Sequence, residues 1–343
     1  MSDLNTTGAK GGEEATGTSI NRLFASSKQG LDLSSSQGGL PEGVSTLPPV
    51  ATDPYVQQWQ MWHEQRLEEL KAPHGYLAPA SITWVANGQT QTIDGIPGAW
   101  RAENDVLTYY PKSDENETQK RTGNIDGKNG DKSVTVTNGR TILKAPISFA
   151  PTAFGEQALA YLNYGDKRIE VNSQTDLVDQ STYRFWIRVK DPHAKTRQHF
   201  DDIDTFPIDP KWRIQAHFRR AEPDEFDIHD SVVKTVLQSY PLLGFVEFQY
   251  DGKGYSLVVS NVFGHASIFF SDPTNGRETY GIGRVMRLDE LTLDELEELD
   301  FNYAYNYPCA FSAYCTCPIP SKRNTLPFSV TAGEKTPEVD TEL

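Results

Sequence analysis

The sequence is poor in features that mark several large protein classes. It has three cysteines in 343 residues, an odd count that argues against a disulfide-built scaffold. Basic residues are outnumbered, 32 Lys and Arg against 47 Asp and Glu, giving a formal net charge of −15. Without a broad positive field the chain is expected to bind neither nucleic acid nor an anionic membrane. No apolar run approaches the roughly 18 residues of a membrane-spanning helix. Met1 to Lys10 lacks the basic flank and apolar centre of a secretory signal, so a cytoplasmic location is expected. The motifs G-x-x-x-x-G-K-[ST], H-E-x-x-H and G-x-S-x-G are absent, and Gly281-Ile282-Gly283 lacks the last glycine of a dinucleotide fingerprint. No cofactor is expected.

Aromatic residues make up 11% of the chain, enough for a sizeable core. They avoid residues 1–52. Gly, Ser and Thr supply 21 of the first 50 positions and Phe24 is the sole aromatic, so this stretch is predicted to be a disordered tail. Asp53-Pro54 then opens an amphipathic helix, with Tyr55, Trp59, Trp62, Leu67 and Leu70 at helical spacing. Pro73 and Gly75 end it. Beyond that point the period becomes two. Strands are predicted around residues 81–85, 106–110, 133–137, 168–171, 183–189, 212–218, 244–248, 255–259 and 266–270. Turn pairs such as Asn87-Gly88, Asp126-Gly127, Asn129-Gly130, Asn138-Gly139 and Asp251-Gly252 separate them. This pattern predicts a mainly β fold, an antiparallel β-sandwich or barrel-like domain with an N-terminal amphipathic helix and a long ordered C-terminal loop. One domain is expected over 53–336, followed by an acidic tail at 337–343, with a break near 172–182 as the alternative. Thr292-Leu293-Asp294-Glu295 reads as a capping box opening a surface insertion.

The C-terminal third is dense in polar and aromatic residues. Phe270-Ser271-Asp272-Pro273-Thr274-Asn275-Gly276-Arg277-Glu278-Thr279-Tyr280 leads to Gly283-Arg284. Asp300-Phe301-Asn302-Tyr303-Ala304-Tyr305-Asn306-Tyr307-Pro308-Cys309-Ala310-Phe311 follows, then Cys317-Pro318-Ile319-Pro320, Asn324 and Ala332-Gly333-Glu334. Upstream, Trp62 and Arg66 precede Gly75-Tyr76-Leu77, and Arg188-Val189-Lys190-Asp191 precedes Phe206-Pro207, Pro210, Trp212 and Arg213. Together these residues, over about 55–336, resemble the domain of unknown function 1684 family. The resemblance implies a shared fold region and motif set and no reaction. Family members that look secreted carry the Cys309 and Cys317 pair, compatible with a disulfide. In this chain, without a secretory signal, free structural thiols are expected, with Cys315 as an addition.

Several groups in these motifs suit chemistry. Asp272 and Asp300 end apparent strands, and paired carboxylates in one cleft divide acid and base roles. Arg284 is the candidate anion or oxyanion partner. Tyr305, Asn302 and Asn306 offer directed hydrogen bonds on rigid bodies, and Tyr280 and Arg188 are candidate ligand-binding residues with them. Arg188 and Asp191 read as a strand-end ion pair. Alternatively Arg188, Arg213 and Arg284 meet as an anion clamp, a locally positive site in an acidic shell. The spacing C-x5-C-x-C is not that of a zinc site and no histidine follows His265, so no metal is expected. Three readings stay open: a small-molecule enzyme, most plausibly hydrolytic; a protein binding a small anionic or polar ligand without chemistry; and a structural clasp. The oligomeric state is left open. A solvent-reachable cluster of Asp272, Arg284, Asp300, Asn302 and Tyr305 would favour the first two readings. Burial against backbone partners would favour the third.

Overall fold

The computed structural model describes residues 53–112, 136–151, 158–175, 183–234 and 236–339. The tail at 1–52, the turns Asp126-Gly127 and Asn129-Gly130, residues 133–135, most of the break proposed near 172–182 and the end of the acidic tail lie outside them.

Helix α1 (Pro54–Lys71) begins at its sequence signal. Asp53 accepts the Tyr55 amide at 2.9 Å and Pro54 fills the first turn, where a missing N–H costs nothing. The helix buries Trp59, Arg66 and Leu70. Behind it run β1 (Pro79–Val85), β2 (Thr90–Ile93), β3 (Ile96–Glu103), β4 (Val106–Tyr110), β5 (Val136–Asn138), β6 (Thr141–Ile142), β7 (Ile147–Phe149), β8 (Ala160–Tyr164), β9 (Lys167–Thr175) and β10 (Tyr183–Lys190). A short helix, α2 (Lys195–His199), leads to β11 (Arg213–Arg220), β12 (Phe226–Asp230), β13 (Leu237–Tyr250), β14 (Lys253–Val262), β15 (His265–Phe270), β16 (Arg284–Leu288), β17 (Glu298–Asp300) and β18 (Tyr305–Asn306).

The fold is mainly β, with antiparallel sheets and a half-barrel. One sheet has the order β1-β10-β9-β8-β5-β6, a small one β2-β3-β4-β7, and the largest β17-β11-β13-β14-β15-β16-β18. The first two sheets share a core around Trp100, Phe185, Ile187 and Val189. Side chains alternate along a strand, so Trp186, Arg188 and Lys190 of β10 stand on the opposite face. The largest sheet closes over Trp212, Phe248, Phe270 and Phe301. Strand β13 shifts register against β14 at Gly244. A Cβ there would strike the Arg219 carbonyl oxygen and the Phe218 ring. The first half of β13 pairs with β12 and the second half with β11.

Two local expectations change. The cap near residue 290 is Asp289, which accepts the Leu291 amide at 3.0 Å and starts a 3-10 turn over Glu290–Glu295; Thr292 lies inside it. The insertion is also anchored, because Leu293 is buried in the half-barrel core. The stretch after Asp300 contains β18, which pairs Tyr305 with Val285 and Asn306 with Arg284. No helix among the described residues is long and apolar enough to cross a membrane.

Candidate functional site

The motif residues fall into three separate clusters. The first joins the ends of β15 and β16. Asp272 Oδ1 accepts the amides of Thr274 and Val330, at 2.9 and 3.2 Å, and Oδ2 accepts Arg284 Nη2 at 2.8 Å. The Arg284 guanidinium also donates to the carbonyls of Val330 and Ala332. Both side chains of this ion pair are 0% exposed. Burial pulls the Arg284 pKa below its usual value, with Asp272 opposing it. Around the pair, Thr274 and Thr279 are buried and share a 2.7 Å hydroxyl contact, and Asn275 ties the turn to the Tyr280 carbonyl. The Tyr280 hydroxyl donates to the Cys309 carbonyl at 3.0 Å.

The second cluster pins α1 to β17. Asp300 Oδ2 accepts the Tyr55 hydroxyl at 2.7 Å, and Oδ1 accepts both the amide and the side-chain Nδ2 of Asn302 at 2.9 Å. Arg213 Nε lies 3.9 Å from Asp300. Burial raises the Asp300 carboxyl above the usual aspartate range, although the bonds from Tyr55 and Asn302 work against it. Asn302, 1% exposed, behaves like a strand residue made of side chain: it accepts the Asp209 amide and donates to the Asp209 carbonyl, both at 3.1 Å. Its own carbonyl takes the Trp59 indole N–H at 2.8 Å.

The third cluster was not legible as a cluster in the sequence, although both of its charged members lay in quoted motifs. Arg66 of α1 and Glu334 form a buried ion pair at 3.1 Å. Glu334 Oε2 accepts the Asn306 amide at 2.6 Å, Arg66 Nη2 donates to the Asn306 carbonyl at 3.0 Å, and Asn306 Nδ2 reaches the Lys335 carbonyl at 2.7 Å. Burial works to lower the Arg66 pKa, but Glu334, Tyr305 and Tyr76 together outweigh it and the net direction is up. Gly333 makes this knot possible. Its φ is +74°, and a Cβ would collide with the Ala304 carbonyl oxygen.

Arg66 also opens onto a patch of tyrosines and cations. Its guanidinium lies 4.7 Å from the Tyr305 ring centroid. Tyr76, 38% exposed, has its hydroxyl pKa raised, first by burial, then by Tyr305 and Glu69, with Arg66 and Arg287 opposing. Lys190 Nζ is 6.0 Å from the Tyr76 ring. Lys190 and Arg188 share one carboxylate, Glu170, at 2.9 and 3.2 Å. Arg188 Nε further donates to the Tyr314 carbonyl at 2.7 Å. One register step away, Arg168 covers the exposed Tyr161 ring at 5.5 Å. Arg287 is exposed and has no ion pair among the described residues.

The three arginines of the anticipated clamp face three different carboxylates: Glu170, shared with Lys190, for Arg188, Glu298 for Arg213 and Asp272 for Arg284. Asp191, one residue beyond β10, pairs with Lys167 at 2.8 Å and not with Arg188. None of the cysteines is in a disulfide, and they pack beside Tyr240, Phe269, Val285 and Tyr307. Among the described residues no group of three or more His, Cys, Asp or Glu is arranged to hold a metal ion.

A family model described as "Protein of unknown function (DUF1684)" matches residues 198–335. The solution NMR structure of an uncharacterized protein from Haloarcula marismortui is 31% identical in sequence, covering 41% of this chain and 79% of that one, with a TM-score of 0.34. No curated protein matches the chain. Over residues 198–335 the chain belongs to the DUF1684 family of proteins of unknown function.

Proposed function

We propose that the protein binds a small anionic ligand, a phosphate or carboxylate compound, at the tyrosine–cation patch. One observation carries this reading: five cationic side chains, Arg66, Arg168, Arg188, Lys190 and Arg287, gather near Tyr76, Tyr161 and Tyr305 against three carboxylates, Glu69, Glu170 and Glu334. In a chain of net charge −15 a local positive excess is unusual, and arginine and tyrosine donors suit anionic oxygens. Lys190 and Arg287 would meet the anion, with the hydroxyls of Tyr76 and Tyr305 orienting it. Glu170 and Glu334 would hold the neighbouring cations in place. Of the residues expected to bind ligand, Arg188 and Tyr305 belong to this patch. Asn302, Asn306 and Tyr280 support backbone instead.

The hydrolytic reading rests on Asp300, whose raised carboxyl pKa suits general acid–base work. Against it, both Asp300 oxygens are already engaged by Tyr55 and Asn302. Calorimetric titration of the full chain with inorganic phosphate and with citrate tests the binding reading. Saturable binding is expected, weakened by added salt and at least about tenfold weaker in Arg287→Ala. Absence of binding to both probes, or unchanged affinity in that variant, would overturn it.

A further inference from the structure

The three cysteines lie within nine residues of chain, and the fold packs their side chains into one cluster. Cys309 sits in the 3-10 turn Pro308–Ala310 and its amide donates to Cys317 Sγ at 3.2 Å. All three cysteines pack into one cluster with Tyr240, Phe269 and Tyr307, Cys317 beside both Cys309 and Cys315. Cys315 and Cys317 are buried, whereas Cys309 is partly exposed. None of the three is in a disulfide, and no metal-site arrangement includes them among the described residues. A trio with one thiol open to solvent and one beside both others has the layout of a dithiol exchange site.

We propose that Cys309, Cys315 and Cys317 form a redox site for low-molecular-weight disulfides, with Cys309 as the entry thiol and Cys317 as the sulfur that both neighbours can bond. The Cys309 thiolate attacks one sulfur of the disulfide R–S–S–R. A Cys309–S–S–R bond forms, the R–S–S–R bond breaks, and one R–S⁻ leaves and is protonated by solvent. The Cys317 thiol then attacks Cys309 Sγ, and its proton passes to the second R–S⁻ as that group is expelled. The balance is two protein thiols oxidised to one disulfide and one small disulfide reduced to two thiols. Burial pushes the Cys317 thiol well above its ordinary range, which makes it a poor first nucleophile and leaves entry to Cys309. Cys315 then exchanges with the new bond through Cys317. A Cys315–Cys317 bond closes a ring across a single intervening residue, a strained arrangement that is readily reduced. Cys309–Cys317 is therefore the resting oxidised form and Cys315 the exchange partner.

The test oxidises the native full chain with glutathione disulfide, alkylates the remaining thiols, and maps the products by mass spectrometry. The wild type is expected to lose two hydrogens, show a Cys309–Cys317 linkage and retain Cys315 as the alkylated thiol. Cys315→Ala should behave the same way. Cys317→Ala should stop at a glutathione adduct on Cys309, and Cys309→Ala should slow all oxidation at least about tenfold. Three alkylated thiols in the treated wild type, a persistent adduct on its Cys309, or a Cys309–Cys315 bond with Cys317 free would each overturn the proposal. The wild-type mapping decides the matter even where a variant does not fold.

Discussion

Asp272 and Arg284 close the open end of the β15–β16 pair as an ion pair with no solvent exposure on either side chain. Every atom of the carboxylate is engaged: one oxygen by two backbone amides, the other by the guanidinium. The guanidinium in turn draws in the Val330 and Ala332 carbonyls. The arrangement fastens the C-terminal segment to the half-barrel.

Removing one member of a buried pair strands the other, which costs about 3–5 kcal/mol. Asp272→Ala is expected to lose stability on that scale in urea unfolding. Replacing both, as Asp272→Leu with Arg284→Met, should lose less than Asp272→Ala alone, because no charge is left uncompensated. A double variant no better than the single one would contradict this role.

Asn324 serves a comparable purpose without charge. It accepts the Val258 amide at 2.7 Å and donates to the carbonyls of Val258 and Phe269 at 3.1 and 2.8 Å. It bridges β14 and β15 beyond their last paired residues. Asn324→Ala leaves buried backbone groups unpaired and should cost about 1–3 kcal/mol, read as a lowered urea midpoint with an unchanged slope.

Gly333→Ala forces a side chain into the left-handed region and onto the Ala304 carbonyl. A loss of about 1–3 kcal/mol is expected from backbone strain. Because the same turn presents Glu334 to Arg66, fluorescence of the nearby Trp59 should report loosening of α1 in this variant.

Asp300 gives a pH signature. Burial raises its carboxyl pKa in the folded chain, so the folded state holds that proton more readily than the unfolded state. Its contribution favours folding on the acidic side and is withdrawn as pH rises from the ordinary aspartate range through the folded value. Asp300→Asn removes the charge and keeps the size. It should match or exceed wild-type stability at about pH 7 and flatten this part of the stability profile. A variant less stable at neutral pH would show that the carboxylate charge itself is required.

Much of the architecture was legible because it depends on neighbours in sequence. Asp53-Pro54 marks the start of α1, and the period-two runs at 106–110 and 183–189 became β4 and β10. Strand β3 escaped because Pro97 and Gly98 break its pattern, although Trp100 and Ala102 still alternate into the core. The site was harder to read. Asp272, Arg284 and Asn302 are the residue types of a polar cleft, and only burial distinguishes a cleft from a clasp. Arg66 and Glu334 are 268 positions apart, and sequence spacing carries no information on such pairing. Lys190, Tyr76 and Arg287 were likewise invisible as a group, since they come from one strand, the turn after α1 and another strand.

The clasp and the binding patch use different residues, Asp300 in the one and Arg287 in the other. Phosphate affinity should be measured by calorimetry for the wild type, Arg287→Ala and Asp300→Asn under the same low-salt conditions. Asp300→Asn is expected to bind like the wild type, and Arg287→Ala to lose at least about tenfold in affinity. Loss of binding in Asp300→Asn with Arg287→Ala unaffected would contradict this and place the site at the C-terminal motif.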